Sequence, residues 1–240
     1  MTSPVAKRDE TAIAALSKHL AQRKSVRGFL PDALTSAQLS EWFGMAQRAP
    51  SWCNIQPWRV AVSMPPLTQR IADDLVAAAK AGFPQTDVSF PLNYPEPYAT
   101  HRRQCGGALY GAMGVARDDK EGRLRAWMRN YEIFGAPHVA IVSVDKRLGS
   151  YAHLDIGIWL GMLMTCASAL GIDMCAMAVL AHYPQALRKH LPISADEDIL
   201  FGIAIGMEER TVAANACRTT RSPLAENVRF VEASSPLPID

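Results

Sequence analysis

Apolar residues recur at intervals of three and four along several segments of the chain, which predicts helices. The first predicted helix covers about residues 9–22. The second begins after Thr35, because Thr35 and Gln38 have the spacing of a capping box, and Pro50 ends it. Further helices are predicted at 67–81, 151–170 and 184–191, and at 101–131 with breaks around Gly106, Gly107, Gly111 and Gly114.

Apolar or weakly alternating runs predict four strands, at 58–63, 138–144, 173–179 and 199–206. So few strands, separated by helices, favour an α+β or three-layer sandwich over a regular doubly wound sheet. Long irregular segments in a compact domain are commonly functional lids. We expect one domain over residues 1–240, with a core at 8–232, a lid and substrate-pocket segment at 83–131 and an extended tail at 208–240.

One uncharged run, residues 156–172, raises the question of a membrane span. A spanning helix needs about 20 strongly apolar residues. This run contains glycine, threonine and serine and is flanked by Asp155 and Asp173. We therefore expect a buried core or interface helix, with a membrane span as the alternative.

Composition and charge narrow the class of protein. The chain has 240 residues, of which 49% are hydrophobic and 20% charged, enough to bury a sizeable core. Its 25 basic and 23 acidic residues give a net charge of +2, so we expect neither nucleic acid nor a membrane as partner. The polar start, MTSPVAKRDE, does not resemble a secretory signal. Five cysteines without a C-x-x-C pair indicate reduced thiols and a cytoplasmic protein.

Several catalytic motifs are missing from the sequence. There is no G-x-G for a dinucleotide, no P-loop, no G-x-S-x-G, no H-E-x-x-H and no Cys/His cluster with metal spacing. His138, before an apolar run, is interpreted as structural rather than catalytic. No metal site is expected, and any chemistry is expected to come from an organic cofactor.

Cations cluster at two distant places in the sequence. The first cluster follows the first predicted helix and contains Arg23, Lys24, Ser25 and Arg27. Arginine forms bidentate, charge-assisted hydrogen bonds, so such a cluster suits a phosphate monoester. The alternative is that these cations complement the negative end of the helix dipole. A second pair, Arg218 and Arg221, lies in the tail.

The segment 49–58 reads Ala-Pro-Ser-Trp-Cys-Asn-Ile-Gln-Pro-Trp. Its two prolines stiffen a polar, aromatic loop that contains Ser51, Asn54 and Gln56. Such side chains could hydrogen-bond a flat heterocycle. The alternative is an ordinary helix–strand connection with a packed tryptophan.

Taken in order, these segments resemble the nitroreductase family of FMN-dependent oxidoreductases. The resemblance starts with Arg-Lys-Ser-Val-Arg at 23–27 and the 49–58 segment. It continues through 130–137, 171–184 and 215–224. It implies an α+β fold, a three-layer α/β/α sandwich of nitroreductase type. The small central mixed sheet would be flanked by helices, and the domain would be completed in a homodimer.

The resemblance also implies roles for individual residues. The FMN phosphate and ribityl chain would be held by Arg23, Lys24 and Ser25, with Arg221 as a second phosphate ligand assisted by Arg218. Arg27 would lie near the N1/O2 edge of the flavin. The loop that reaches the flavin of the partner subunit would contain Pro50, Ser51, Trp52 and Asn54. The segment past flavin N5 would be Ala176, Met177 and Ala178.

The apolar Ala176 and Met177 depart from the family pattern, in which many relatives have Pro-Gln or hydroxyl residues. This departure leaves flavin N5 to a backbone N–H. No side chain of the protein is expected to be catalytic in itself. Arg27 would give electrostatic support to the negative charge of reduced flavin.

The implied function is reduction of nitroaromatic or quinone-type acceptors with NADH or NADPH by a ping-pong mechanism. The substrates would be small aromatic molecules, bound at sites shared between two subunits. Two alternatives stay open at this point. The same fold could catalyse reductive dehalogenation or enone reduction, or the protein could bind flavin without turnover. The sequence does not distinguish NADH from NADPH, nor does it name the physiological acceptor.

Overall fold

The structure, a computed structural model, describes residues 8–231. The first seven residues, part of the segment that does not resemble a secretory signal, lie outside the described residues. The end of the predicted tail, from residue 232, lies outside them as well. The helices are α1 Glu10–Gln22, α2 Ser36–Ala46, α3 Leu67–Ala81, α4 Tyr98–Ala112, α5 Lys120–Met128, α6 Ser150–Leu170, α7 Pro184–Arg188 and α8 Leu224–Asn227. Short 3₁₀ turns lie at Trp52–Asn54, Ile133–Gly135, Ala178–His182 and Ala213–Ala216.

The described strands form one four-stranded sheet in the order β1-β2-β4-β3. The strands are β1 Arg59–Val62, β2 His138–Asp145, β3 Asp173–Met177 and β4 Glu197–Gly206. All three pairings among them are antiparallel. The expectation of a mixed sheet is wrong for residues 8–231. Each strand runs opposite to its neighbour. Parallel neighbours would need a crossover connection between them, and these antiparallel neighbours do not.

Helices cover both faces of the sheet, which confirms the three-layer α/β/α sandwich. Successive residues of a strand point to opposite faces, and β2 shows the consequence. Val139 and Ile141 pack into the core with α3 and α7. Ala140 and Val142 pack into the other core with α2 and α6. Both capping-box bonds predicted at the start of α2 are present.

The glycines of α4 do not break it, which corrects the expectation for 101–131. Gly106, Gly107 and Gly111 lie inside α4. A glycine in a helix interior lowers helix stability by only about 1 kcal/mol relative to alanine. The first turn of α4 is also stabilised by the Glu96 side chain, which accepts a hydrogen bond from the Thr100 N–H at 3.1 Å. The chain leaves the helix at Gly114, where φ is +67°.

Two other element ends differ from the sequence prediction. The strand predicted at 173–179 ends at Met177, because Ala178 begins a 3₁₀ turn. The helix predicted to end near residue 191 ends at Arg188. The segment 83–100, which its prolines and aromatic residues predict to be irregular throughout, is also shorter than predicted, because α4 already begins at Tyr98.

The long apolar helix α6 has the length and composition that a membrane span would need. One side of it packs against the sheet and α2 through Ile156, Trp159 and Leu163. On its other side Tyr151 and Leu154 are more than 60% exposed. The buried side makes α6 a core helix, as expected, and leaves an apolar outer side in the single chain.

Candidate functional site

The two basic clusters of the sequence line a single cavity of about 510 Å³. The lining residues include Arg23, Lys24, Ser25, Arg27, Arg218 and Arg221. Cys105 of α4 and Cys217 of the tail also line it, and the sequence contained no signal for either. The structure therefore brings together cations almost 200 positions apart in the chain.

The segment after α1 reaches the cavity because it runs beside β3. Arg23 ends α1, and its N–H donates to the His19 carbonyl at 3.1 Å. The Val26 N–H donates to the Met174 carbonyl at 3.1 Å. Val26 itself is fully buried. Its half-buried neighbours Ser25 and Arg27 point the other way and line the cavity.

The tail is fixed to this segment by Asn215, which is 3% exposed. Its Oδ1 accepts from the Arg27 N–H at 2.6 Å, and its Nδ2 donates to the carbonyls of Gly28 and Glu209, both at 2.9 Å. A buried amide with its hydrogen bonds satisfied fixes the geometry of what it joins. Sequence reasoning did not assign Asn215 a role, and its only signal was a polar residue among alanines in the tail.

Lys24 differs from the arginines of the cavity, because its ammonium already has a counter-charge. It forms an ion pair with Glu208, and both side chains are less than 20% exposed. The Glu208 N–H in turn donates to Asp173 Oδ2 at 2.8 Å. Burial, together with the nearby Glu208 charge, raises the pKa of the Asp173 carboxyl. Lys24 is thus partly committed to holding the tail.

The arginines of the cavity keep their charge available. Arg218 Nη1 donates to the Asn215 carbonyl at 2.8 Å, and Arg221 Nη1 donates to Thr219 Oγ1 at 3.0 Å. Within residues 8–231 none of the four arginines that line the cavity forms an ion pair. Hydrogen bonds to neutral oxygens orient a guanidinium without neutralising it. The cavity is therefore built for an anion.

The loop that contains Pro50, Ser51, Trp52 and Asn54 does not line this cavity. It lies against α6, where the Trp52 N–H donates to both carboxylate oxygens of Asp155 at 3.0 and 3.1 Å. The Trp52 ring packs 5.4 Å from that of Tyr151. Cys53 and Asn54 have positive φ, a strained conformation for Cys53, and the Trp52 ring is left 63% exposed. One chain alone therefore does not unite this loop with the basic cavity.

The segment expected beside flavin N5 also lies outside the lining of the basic cavity. Met177 is 4% exposed and packs with Cys175 in the core. Its side chain therefore points away from solvent. Ala176 is half-buried and Ala178 is exposed. Of these three side chains, those of Ala176 and Ala178 are accessible to a ligand, and that of Met177 is not.

A second, smaller cavity of about 230 Å³ shares Arg27 with the basic cavity. Its walls are mostly apolar, and Arg129, which follows α5, adds a second guanidinium. Sequence reasoning did not identify this cavity, because its walls come from α4, α5 and the tail.

His138 is structural, as interpreted from the sequence. It is fully buried. Its Nε2 accepts from the Leu34 N–H at 2.9 Å, and its Nδ1 lies 3.2 Å from the Ser63 carbonyl, to which it donates. Burial lowers the pKa of this imidazole and favours the neutral form. Neither nitrogen is free for proton transfer.

Comparison with known proteins places the chain in a family. The nitroreductase family model matches residues 20–207. The chain is 32% identical over 211 residues to the nitroreductase NfnB of Mycolicibacterium smegmatis, covering 87% of this chain and 89% of that protein. It is 30% identical over 212 residues to the nitrobenzene nitroreductase of Ectopseudomonas oleovorans, covering 87% and 93%.

The fold agrees with solved structures as well. The FMN-dependent nitroreductase NfnB of Mycobacterium smegmatis, in complex with NADPH, superposes with a TM-score of 0.87 at 30% identity, covering 92% of this chain and all of that one. The resemblance seen in the sequence motifs is therefore confirmed over most of the chain. The protein belongs to the nitroreductase family.

Proposed function

We propose that the protein is an FMN-dependent oxidoreductase that uses NADPH or NADH to reduce nitroaromatic compounds. The observation that carries the proposal is the basic cavity, in which arginines from both ends of the sequence converge without carboxylate partners. The family membership and the named relatives support the same activity.

The donors of the cavity fit the phosphate of FMN. A phosphate monoester carries up to two negative charges and accepts several hydrogen bonds, and guanidinium groups match it in charge and shape. We assign Arg23, Ser25 and Arg221 to the phosphate and Arg218 to its support. Lys24 contributes positive charge from its ion pair with Glu208.

Bound FMN would supply the redox chemistry, accepting a hydride from the nicotinamide and passing electrons to the acceptor. The chain's own residues bind and orient. Arg27 lies where the basic cavity meets the apolar one, so its charge would favour negative charge on an adjacent ligand in a partly dry site. Because a single site would serve both substrates in turn, we propose a ping-pong mechanism, and quinones as further acceptors.

We propose in addition that two copies of the chain complete each site. The loop around Trp52 lies on α6, outside the cavity that holds the cations, and it presents an exposed indole. Beside it the outer side of α6 exposes Tyr151, Leu154 and Ile158. A homodimer through this surface would cover apolar area and bring the loop of one chain to the cofactor of its partner. The cytoplasmic location is part of the same proposal, supported by five free cysteines.

The test uses the purified protein loaded with FMN under anaerobic conditions. NADPH or NADH should bleach the flavin absorbance near its visible maximum, and nitrobenzene should then restore it. Initial rates measured at several concentrations of both substrates should give parallel double-reciprocal lines. If neither NADPH nor NADH bleaches the flavin, the proposed function is overturned. Intersecting lines would overturn the ping-pong mechanism alone.

A further inference from the structure

One carboxylate is buried in the apolar helix α6. Asp155 is 5% exposed, and it is the one acidic residue among the buried polar side chains of residues 8–231. The other buried residues near it on the helix are apolar, among them Ala152, Ile156 and Trp159. Burying a carboxylate is costly unless hydrogen bonds or a cation compensate its charge. A specific group must therefore compensate the charge of Asp155.

The group that Asp155 binds is the backbone of the loop around Trp52. Both carboxylate oxygens accept from the Trp52 N–H, at 3.0 and 3.1 Å. Asp155 forms no ion pair with any residue that the structure describes. One turn earlier on α6, the Tyr151 ring packs 5.4 Å from the Trp52 ring. The helix therefore holds this residue of the loop both by its backbone and by its side chain.

The loop needs support from outside, because its backbone is strained. Cys53, Asn54 and Gln56 have positive φ angles of 48°, 57° and 46°. Such conformations are unfavourable, for cysteine and glutamine above all, and persist only where other contacts fix them. Within the loop, Ser51 Oγ accepts from the Gln56 N–H at 2.9 Å. Among the described residues, Asp155 is the one outside the loop that forms hydrogen bonds to residues 51–56.

We propose that Asp155 is a positioning residue, which sets the conformation of the 51–56 loop and through it the contact of this loop with the cofactor of the partner subunit. The inference rests on the proposed function, in which the loop completes the site of the other chain. Asp155 does not line the basic cavity of its own chain. Its substitution therefore impairs the site in the partner subunit and leaves the cavity of its own chain intact.

Hydrogen–deuterium exchange of the FMN-loaded enzyme tests the contact between Asp155 and the loop. Asp155→Ala should speed exchange of the amides at 52–56 about tenfold to a hundredfold, as expected for a lost hydrogen bond to a charged group. Asp155→Asn keeps an oxygen that can accept from the Trp52 N–H, so it should recover part of the protection. Unchanged exchange at 52–56 in Asp155→Ala would overturn the inference.

Asp9→Ala is the matched control, because the Asp9 carboxylate also accepts from backbone N–H groups, at the exposed start of α1. It should change neither the exchange at 52–56 nor the activity. If Asp155→Ala does not fold, Asp155→Asn takes its place. Without the charge, it should still exchange faster than the wild type at 52–56, and exchange equal to the wild type there would overturn the inference.

Mixed dimers give a readout that a merely structural role would not produce. In a dimer of one Asp155→Ala chain and one Arg221→Ala chain, one site combines an intact cavity with an intact loop. About half of the wild-type rate of nitrobenzene reduction should therefore return. A dimer of Asp155→Ala with Trp52→Ala has a damaged loop at both sites and should recover nothing. The opposite result in either dimer would overturn the inference.

The two kinds of measurement separate this inference from the proposed function. If the FMN-loaded wild type reduces no nitro compound, the proposed function fails, and the exchange at 52–56 still decides whether Asp155 holds the loop. If Trp52→Ala and Arg221→Ala chains do not restore each other, the shared site fails, and with it the effect of Asp155 on the partner subunit.

Discussion

The backbone N–H of Arg27 donates to the side chain of Asn215 at 2.6 Å, across 188 positions of sequence. The same amide reaches the Gly28 carbonyl. Asn215 thus adds to the antiparallel bridge between Phe29 and Glu208 in tying this stretch of backbone to the tail. This contact sets where Arg27 lies relative to Arg218 and Arg221, which follow Asn215 by three and six positions. The anion cavity therefore depends on one buried neutral side chain as well as on its cations.

Asn215→Ala should lower the free energy of unfolding by about 1–3 kcal/mol. The substitution leaves the Arg27 N–H without a partner, and an unsatisfied buried group costs about that much. The carbonyls of Gly28 and Glu209 lose one donor each but keep the N–H groups of Glu209 and Val212.

Urea unfolding at a fixed protein concentration measures the change. Asn227→Ala, at the exposed end of α8, is the control and should stay within about 0.5 kcal/mol. An equally small effect for Asn215→Ala would show that the tail is held by other contacts.

Arg23→Ala and Arg221→Ala should each weaken FMN binding about tenfold to a hundredfold, because each removes charged hydrogen bonds to a phosphate. A fluorescence titration of the apoprotein with FMN measures the dissociation constant. Arg147→Ala is the control, since Arg147 pairs with Asp145 on the exposed surface after β2. Heat-released cofactor should migrate as FMN and not FAD on a column. Wild-type affinity in both variants would mean that these arginines are only surface charge.

Local signals in the sequence predicted most of the elements correctly. The bounds of α3 were predicted to the residue, and Thr35 and Gln38 form the capping box that their spacing indicated. Such features are set by interactions within a few residues. The parallel or antiparallel sense of the sheet is set by long connections, and it was predicted wrongly.

The site shows the same division between local and distant effects. The cations of both clusters were identified from their own spacing, but their union in one cavity depends on Asn215, which sequence reasoning passed over. The resemblance placed Met177 in the segment past flavin N5 and left N5 to a backbone N–H, and the alternation of β3 turns the Met177 side chain into the core. Arg129 lacked any local motif, because the cavity it lines is made by three separate segments.

The buried His138 should make stability depend on pH below about 6.5. Burial lowers its pKa in the folded protein below the ordinary 6.5. As the pH falls through 6.5, the unfolded chain takes up a proton that the folded chain does not, so folding stability is lost toward acid pH. A difference of one bound proton changes the free energy of unfolding by at most about 1.4 kcal/mol per pH unit.

Urea unfolding of the wild type and of His138→Gln between pH 7.5 and 5 isolates this contribution. Glutamine can accept from the Leu34 N–H and donate to the Ser63 carbonyl without titrating. The variant should therefore lose less stability than the wild type over this range, while its nitroreductase activity at pH 7.5 stays within about tenfold of the wild type. His101→Gln, on the exposed surface of α4, should follow the wild-type curve. Identical slopes for wild type and His138→Gln would contradict the buried neutral imidazole.

The shared site predicts that two different inactive chains restore each other. Arg221→Ala damages the basic cavity, and Trp52→Ala removes an exposed indole from the loop on α6, so each variant should fold and be impaired on its own. In a mixed dimer, the intact cavity of the Trp52→Ala chain would meet the intact loop of the Arg221→Ala chain. One of the two sites would then be fully wild type, and the other would carry both defects.

Coexpression of the two variants with different affinity tags allows the mixed dimer to be purified and loaded with FMN. Its NADPH-dependent reduction of nitrobenzene should reach about half of the wild-type rate per dimer, and light scattering should give twice the 26.2 kDa mass of one chain. If each site lies within a single chain, both sites of the mixed dimer carry one defect and no activity returns. A flavin-loaded monomer, or a Trp52→Ala enzyme as active as the wild type, would equally refute the shared site, because the loop does not line the basic cavity of its own chain.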